Sequence, residues 1–302
     1  MSNPYKIEGP ALISFSGGRT SAYMLYQIMQ AHGGTLPDDV IVAFANTSKE
    51  REETLRFVHE CGSTWGAKVH WLEWRIEGYE QVGFNSAARA GEPFAGLIEK
   101  KGFVPNRGAP FCSIELKGRV MRDFVRAEFG WKHWDSVIGL RHDEGLRVMK
   151  ALARNDSGKE PWRTVMPMAK AKHTKIDVMR FFFGESYDPA RLAYYLALDP
   201  AKLPQGFELG LLDFEGNCDL CWKKTKTKRE RIIRSNPGAA DWWIDQEEKA
   251  DRRGTGGSLF DEKISFREMR EHVLSSPDLF DDNDETDFDV ECGLHCDVEN
   301  AA

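Results

Sequence analysis

The stretch Ile13-Ser14-Phe15-Ser16-Gly17-Gly18-Arg19-Thr20-Ser21 decides how the rest of the chain is interpreted. The apolar run at 11–13 predicts a short buried strand, and the apolar spacing that begins at Ala22 predicts a helix. Glycines let backbone N–H groups approach a ligand closely, and the start of a helix carries partial positive charge. The stretch therefore predicts either a loop that binds phosphate or sulfate, or an ordinary tight turn between strand and helix.

The following segments continue the alternation of strands and helices. Apolar runs predict strands at 40–45, 69–74, 134–140 and 161–168. Helical spacing runs between them, whereas 78–108 has a mixed pattern rich in Gly, Asn and Pro, which predicts a loop-containing excursion over the end of the sheet. This order predicts an α/β fold with a doubly wound, mostly parallel sheet and helices on both faces. Ligands of such sheets bind beyond the carboxyl ends of the strands, where the Ser16 loop and Asn46-Thr47 would both lie.

The 302 residues exceed the usual length of one domain. We expect an α/β domain over 1–184, a helical region over 185–276 that carries Cys218-Asp219-Leu220-Cys221, and an acidic flexible tail over 277–302. No apolar run is long enough to span a membrane, and the first residues lack the layout of a secretory signal. We therefore expect a cytoplasmic protein whose cysteines are reduced, with no membrane partner.

Charge is unevenly distributed along the chain, although the net charge is only −7. A basic run covers 223–234 and predicts either a contact with nucleic acid or a solvated helix face. Arg141 and Arg147 follow the strand predicted at 134–140, so both are expected in a strand-end loop that can contact an anion.

The six cysteines suit metal ligation, thiol chemistry or core packing better than a disulfide framework. Cys218 and Cys221 have the spacing at which two thiolates meet one metal, and Cys112, Cys292 and Cys296 can add further ligands on zinc or an iron–sulfur cluster. A dithiol redox pair and incidental core cysteines are the alternatives. Cys292 would be a nucleophile if a cationic site lowered the pKa of its thiol, and otherwise an inert terminal thiol.

Three segments together resemble the phosphoadenosine phosphosulfate reductase family, within the adenine nucleotide α-hydrolase-like (PP-loop) superfamily. They are the Ser16 loop, the segment Phe44-Ala45-Asn46-Thr47 with 53–58, and the tail Glu291-Cys292-Gly293-Leu294-His295. Similar sequences are frequent in phages and mobile elements. The resemblance implies that Cys292 is the nucleophile, supported by the cation of Lys117. It also implies a [4Fe–4S] cluster on Cys112, Cys218 and Cys221, with zinc as the alternative metal. Cys296 is not part of the family's pattern, and either Cys296 or a non-protein group would supply the remaining ligand.

The resemblance further implies an adenine nucleotide as substrate, bound along the loops at the strand ends. The residues that would bind it are Ser14, Ser16, Gly17, Gly18, Arg19, Thr20, Ser21, Asn46, Thr47, Arg141 and Arg147. The first hypothesis is a sulfonucleotide reductase that takes electrons from thioredoxin or glutaredoxin and releases sulfite. The second is an ATP-dependent sulfurtransferase that acts on a nucleic acid or a small metabolite. The third is a non-catalytic nucleotide-binding or redox-sensing module.

Overall fold

The Ser16 loop joins a strand to a helix, as its sequence predicts. The structure is a computed structural model that describes residues 3–254 and 256–276. Its first strand ends at Ser14, and its first helix begins at Arg19. The intervening residues are thus a tight connection at the carboxyl end of a strand.

Six strands form one sheet in the order β4-β3-β2-β1-β5-β6. They are β1 Ala11–Ser14, β2 Val40–Asn46, β3 Val69–Arg75, β4 Gly78–Val82, β5 Trp134–Val137 and β6 Trp162–Val165. Only the pairing of β4 with β3 is antiparallel, and the other four pairings are parallel. The expected α/β fold with a mostly parallel sheet is confirmed.

The helices lie between and after the strands. They are α1 Arg19–Ala31, α2 Glu52–Trp65, α3 Glu92–Lys101, α4 Phe111–Ser113, α5 Val120–Phe129, α6 Gly145–Ser157, α7 Pro167–Ala171, α8 Lys175–Phe183, α9 Leu192–Leu196, α10 Lys226–Ser235, α11 Asp241–Arg253 and α12 Phe266–Ser275. A π-helical segment, Ile114–Arg119, joins α4 to α5. Thr174 caps α8 in a capping box with Asp177, as its position before an apolar repeat predicts.

Both faces of the sheet are covered by apolar clusters. On one face, β1 and β2 residues such as Ile13 and Val42 pack with helices that include α1, α2 and α8. On the other, Leu12 and Ile41 pack with helices that include α3, α5, α10, α11 and α12. Alternate residues of one strand therefore enter different clusters, as the two-residue period of a strand requires. The predicted domain boundary between 184 and 185 stays a prediction. Helices that precede it in the sequence and helices that follow it both pack on this sheet.

Two features of the chain path were not predicted. Within the loop-containing segment 78–108, the structure forms β4 and α3. β4 is a polar edge strand, so it has no apolar run to mark it, and the period of Phe94, Leu97 and Ile98 was hidden by flanking glycines and a proline. Arg147 lies in the first turn of α6, not in a strand-end loop, because β5 already ends at Val137.

The tail predicted at 277–302 lies outside the described residues, and Cys292 and Cys296 with it. Among the helices of the described part, none has the length and apolarity needed to cross a membrane.

Candidate functional site

The candidate site lies at the point in the sheet where the order of successive strands reverses direction. The chain passes from β1 to β2 on one side, whereas β5 pairs with β1 on the other. The connections that leave β1 and β5 therefore diverge and open a crevice at the carboxyl ends of the strands. Arg141, just beyond β5, connects the two sides of this crevice, because its guanidinium donates a hydrogen bond to Oγ1 of Thr20 in α1 at 3.1 Å.

The loop between β1 and α1 has little room for side chains. Gly17 has φ of +80°, and a Cβ placed there would lie 2.6 Å from Cγ2 of Thr54. Ser21 folds back and accepts a hydrogen bond from the Ser16 backbone N–H at 3.2 Å. The N-cap of α1 is Gly18, with no side-chain cap and no acidic residue in the first turn. The loop thus presents a helix N-terminus that suits an anion.

A pocket opens over this loop and is lined by three cationic residues, Arg19, Arg141 and Lys175. The remaining lining residues come from the loop, from α2, from α8 and from the segment at 209–217. They are Ser16, Gly17, Gly18, Thr20, Thr54, Val178, Met179, Leu209, Leu212, Asp213, Gly216 and Asn217. Positive charge and small loop residues therefore face one cavity, which favours a phosphate- or sulfate-bearing ligand.

Acidic side chains contact all three of these cations. Nε of Arg19 donates to Oε1 of Glu208 at 2.6 Å, and the same guanidinium donates to the carbonyl of Leu211 at 2.7 Å. Nζ of Lys175 lies 2.5 Å from Oδ2 of Asp213, and Oδ1 of the same carboxylate lies 3.5 Å from Nη1 of Arg19. Arg19 therefore ties α1 to the 208–213 segment, and an anionic ligand would compete with Asp213 for Lys175.

Arg141 is oriented by its neighbours. It is buried, its Nε donates to Asp143 at 3.0 Å, and its backbone N–H donates to Glu144 at 2.9 Å. Arg147 instead forms an ion pair with Glu144 and is not in the described lining of the pocket. Both arginines thus contact Glu144, but only Arg141 is among the described residues that line the pocket.

Four more of the predicted nucleotide-binding residues are not in that described lining: Ser14, Ser21, Asn46 and Thr47. Ser14 contacts Met121, and Ser21 holds the turn of the loop. Asn46 is fully buried and donates to Glu73 at 2.7 Å and to the carbonyl of Ala88 at 2.8 Å. These contacts give all but Thr47 a structural role.

Thr47 belongs to a second group of buried side chains, called here the thiol centre, which also includes Glu50, Lys117 and Cys218. Its Oγ1 donates to Glu50 at 2.7 Å and lies 3.2 Å from Sγ of Cys218. Nζ of Lys117 lies 3.7 Å from the Glu50 carboxylate. Burial, and then the charge of Glu50, raise the pKa of the Cys218 thiol, while Lys117 and the Thr47 hydrogen bond act in the opposite direction. The predicted catalytic Lys117 therefore lies at this thiol centre and is not in the described pocket lining.

Lys224 adds a second buried cation to the thiol centre. Its Nζ donates to the carbonyl of Asp219 at 2.8 Å. Burial lowers its pKa to about 8, against the opposing effect of Cys221 and Cys218. A buried ammonium is thus close enough to both thiols to interact electrostatically with them.

The predicted metal ligands are only partly assembled. Cys112 packs against the same apolar cluster that contains Cys218 and Cys221. Within residues 3–254 and 256–276, however, no group of three or more His, Cys, Asp or Glu side chains is placed to hold a metal ion. The described residues therefore do not by themselves fit a closed zinc site or a four-thiolate cluster. Cys296 lies outside the described residues, so the metal centre stays a prediction.

The basic run at 223–234 does not form one continuous basic surface. Lys224 and Arg229 are buried, and Arg231 lies over the ring of Phe214 at 4.9 Å from its centroid. Arg234 donates to the carbonyl of Ser276 at 3.2 Å. A nucleic-acid contact through this run would involve only some of its charges.

Sequence reasoning missed four polar residues of the pocket: Thr54, Lys175, Asp213 and Asn217. Lys175 follows the N-cap Thr174 and is the first residue of α8, a position that the capping pattern identifies. Asp213 and Asn217 lie in a segment of irregular structure, where no period predicts which side chains converge. Asn217 has φ of +60°, a backbone conformation that asparagine tolerates better than most residues.

Comparisons with known proteins give two relatives of unknown activity. An uncharacterized nin region protein of Escherichia phage lambda is 31% identical over 147 residues, which cover 45% of this chain and 50% of that protein. An uncharacterized protein of Methanocaldococcus jannaschii is 27% identical over 152 residues, covering 50% of this chain and 27% of the relative. The matched regions thus span half or less of these relatives. No family model and no solved structure matches.

Proposed function

We propose that this chain is a sulfonucleotide reductase, an enzyme that binds an adenosine phosphosulfate and reduces its sulfo group with thiols. The observation that carries the proposal is the cationic pocket at the carboxyl ends of β1 and β5. There the α1 N-terminus, Arg141 and Lys175 face one cavity. A nucleotide that carries adjacent phosphate and sulfate groups matches this distribution of charge.

The proposed reaction uses the thiolate of Cys292, whose position lies outside the described residues. The thiolate attacks the sulfur of the sulfo group, the bond from sulfur to the phosphate oxygen breaks, and the nucleotide leaves with the electron pair. A thiol of thioredoxin or glutaredoxin then attacks Sγ of Cys292 and releases sulfite. Its second thiol resolves the mixed disulfide and restores Cys292.

The pocket cations would make this attack feasible. A thiolate and a sulfonucleotide are both anionic and repel each other, so Arg141 and Lys175 would have to offset that repulsion. The Asp213 carboxylate lies 2.5 Å from Nζ of Lys175. Binding would therefore exchange this carboxylate for an anionic group of the nucleotide.

The test is sulfite release from adenosine phosphosulfate and from its 3′-phosphorylated form, with thioredoxin as reductant. Cys292→Ser should abolish release and leave nucleotide affinity unchanged. Cys61→Ser is the matched control, because Cys61 is buried in the core cluster between sheet and helices. Sulfite release that persists in Cys292→Ser would contradict the mechanism.

A second candidate is an ATP-dependent sulfurtransferase. One observation favours it: Gly216 and Asn217 line the pocket and directly precede Cys218, so a buried thiol pair adjoins the pocket wall. ATP would adenylate an oxygen of the acceptor with loss of pyrophosphate. A cluster-bound sulfur, or the outer sulfur of a cysteine persulfide loaded by a persulfide donor, would then attack the activated carbon and displace AMP. In the persulfide case, a thiol would cleave the resulting disulfide and release the thiolated acceptor.

Pyrophosphate release in the presence of bulk tRNA or DNA, followed by acceptor thiolation, tests this candidate. Thiolation should then require Cys218 and tolerate Cys292→Ser, the reverse of the result expected for the reductase. No turnover with ATP or with either sulfonucleotide would leave the third hypothesis, a nucleotide-binding or redox-sensing module.

A further inference from the structure

Cys218 and Cys221 lie in a single backbone turn. The N–H of Cys221 donates to the carbonyl of Cys218 at 3.3 Å, and Lys224 N–H donates to the carbonyl of Cys221 at 2.9 Å. In such a turn the first and fourth Cα atoms lie within about 7 Å of each other. A disulfide requires a Cα separation of about 4.4 to 6.8 Å. The backbone therefore places the two cysteines within reach of a disulfide.

The loop that carries the cysteines is fixed by other contacts. Asp219 N–H donates to the carbonyl of Lys49 at 2.9 Å, and Trp243 Nε1 donates to the Asp219 carboxylate at 2.8 Å. An isolated bridge also pairs the backbone of Glu50 with that of Cys218. These contacts hold the turn in place in the reduced protein, so little ordering would remain to be done on oxidation.

The polar surroundings of the pair suit thiol chemistry. Lys224 is buried and interacts electrostatically with both cysteines, and Lys117, which is also buried, interacts with Cys218. The Thr47 hydroxyl lies 3.2 Å from Sγ of Cys218. These ammonium groups and the hydroxyl oppose the effect of burial and of Glu50, which raise the pKa of the Cys218 thiol, and so favour the thiolate that attacks a disulfide.

The ligand count also favours a pair over a metal centre in this part of the protein. Among the residues that the structure describes, no third His, Cys, Asp or Glu joins the two thiols in an arrangement able to hold a metal. Two thiolates alone are half of a closed zinc or cluster site.

We propose that Cys218 and Cys221 are a reversible dithiol–disulfide pair, oxidised by a small disulfide such as oxidised glutathione. One thiol loses its proton and attacks a sulfur of the oxidant, forming a mixed disulfide and releasing one glutathione thiolate. The second thiol loses its proton and attacks the protein sulfur of the mixed disulfide, closing the Sγ–Sγ bond and releasing the second glutathione. The protein gives up two electrons and two protons, which the oxidant takes as two thiols.

The experiment uses the full-length protein, reduced and desalted without oxygen. It is equilibrated with reduced and oxidised glutathione at a series of ratios, after which remaining thiols are alkylated in denaturant and peptides are mapped by mass spectrometry. We expect Cys218 and Cys221 to lose alkylation together at one ratio, as a peptide linked between these two residues. Reduction with dithiothreitol should restore both alkylation sites.

Cys61 is the internal control, because it is buried in the apolar cluster on the opposite face of the sheet from Cys112, Cys218 and Cys221. It should be fully alkylated at every ratio. Three results would overturn the proposal: full alkylation of Cys218 and Cys221 at every ratio, linkage of either one to another cysteine, or stoichiometric zinc or iron in the isolated protein that Cys218→Ser removes. The assay contains no nucleotide, so its outcome is independent of whether the proposed reductase activity is found.

Discussion

At the scale of single residues, the pocket depends on how each cation is held. Arg141 is buried and fixed by Asp143 and Glu144, so it can meet a ligand without losing much side-chain freedom. Arg147, six residues later in the same acidic surroundings, pairs with Glu144 and is not in the described pocket lining. The two arginines therefore form a matched pair for mutation.

We expect Arg141→Ala to weaken nucleotide binding about tenfold to a hundredfold, since a charge-assisted hydrogen bond contributes about 1.5 to 3 kcal/mol. Arg147→Ala should change the affinity less than about threefold. Titration calorimetry with an adenosine phosphosulfate measures both. Equal losses in the two variants would mean that the ligand lies nearer α6 than the pocket geometry indicates.

Glu247 gives a prediction about stability and pH. Its carboxylate accepts backbone hydrogen bonds from Phe260 at 3.2 Å and Phe266 at 2.8 Å, yet burial raises its pKa to about 7. A carboxyl whose folded pKa is raised binds its proton more tightly in the native state than in the unfolded state. The stabilisation that the protonated Glu247 side chain contributes is therefore present at low pH and is lost as pH rises from about 4.5 to about 7.

The size of this effect is on the order of 3 kcal/mol. The free energy of unfolding of the wild type should therefore fall between pH 5 and pH 8 by more than that of Glu247→Gln. Denaturant titrations at the two pH values measure the difference. Glu248→Gln, on the same helix but half-exposed, should keep the wild-type slope. Parallel slopes in all three proteins would show that Glu247 is not the titrating group.

At the scale of elements, the loop from β1 to α1 is the part of the site that the sequence predicted best. Its strand, turn and helix follow from an apolar run, two glycines and a helical period that are adjacent in the chain. The positions of Lys175, Asp213 and Asn217 could not be predicted in this way, because they come from distant segments that only tertiary packing brings to the loop. Asn46 shows the same limit of prediction. This polar residue at a strand end was predicted to bind nucleotide, but it is buried and donates a hydrogen bond to Glu73.

Gly17 tests whether this loop needs its close packing. Gly17→Ala should destabilise the protein by about 2 to 4 kcal/mol, from left-handed strain and from contact with Thr54 and Val58. Gly66→Ala is the control, because Gly66 has φ of +69° and nothing within 4 Å of a new Cβ. That substitution should cost only about 1 to 2 kcal/mol. Unfolding free energies of the two variants that differ by less than their errors would contradict the packing argument.

At the scale of the whole molecule, the order of the strands determines where the pocket lies, and residues from the C-terminal half form part of its lining. The sequence predicted the class of sheet, a mostly parallel one, but not the full set of strands, because the polar edge strand β4 carries no apolar run. The irregular segment at 208–217 supplies one wall of the pocket and is anchored to α1 by Arg19. Arg19, predicted as a nucleotide ligand, thus has a structural role across the two halves of the chain.

The ion pair of Arg19 and Glu208 can be tested as such a cross-link. Both side chains are buried, with 5% and 4% of their surface exposed, so Arg19→Leu leaves an unpaired buried carboxylate and should cost about 3 to 5 kcal/mol. Adding Glu208→Leu removes that carboxylate and should recover most of the loss. Arg163→Leu, which breaks an ion pair with Asp135 at an arginine that is 70% exposed, should cost less than about 1 kcal/mol. Denaturant unfolding of the single and double variants gives the coupling energy. A double variant no more stable than Arg19→Leu alone would mean that Arg19 stabilises the 208–213 segment through its hydrogen bond to Leu211 rather than through charge.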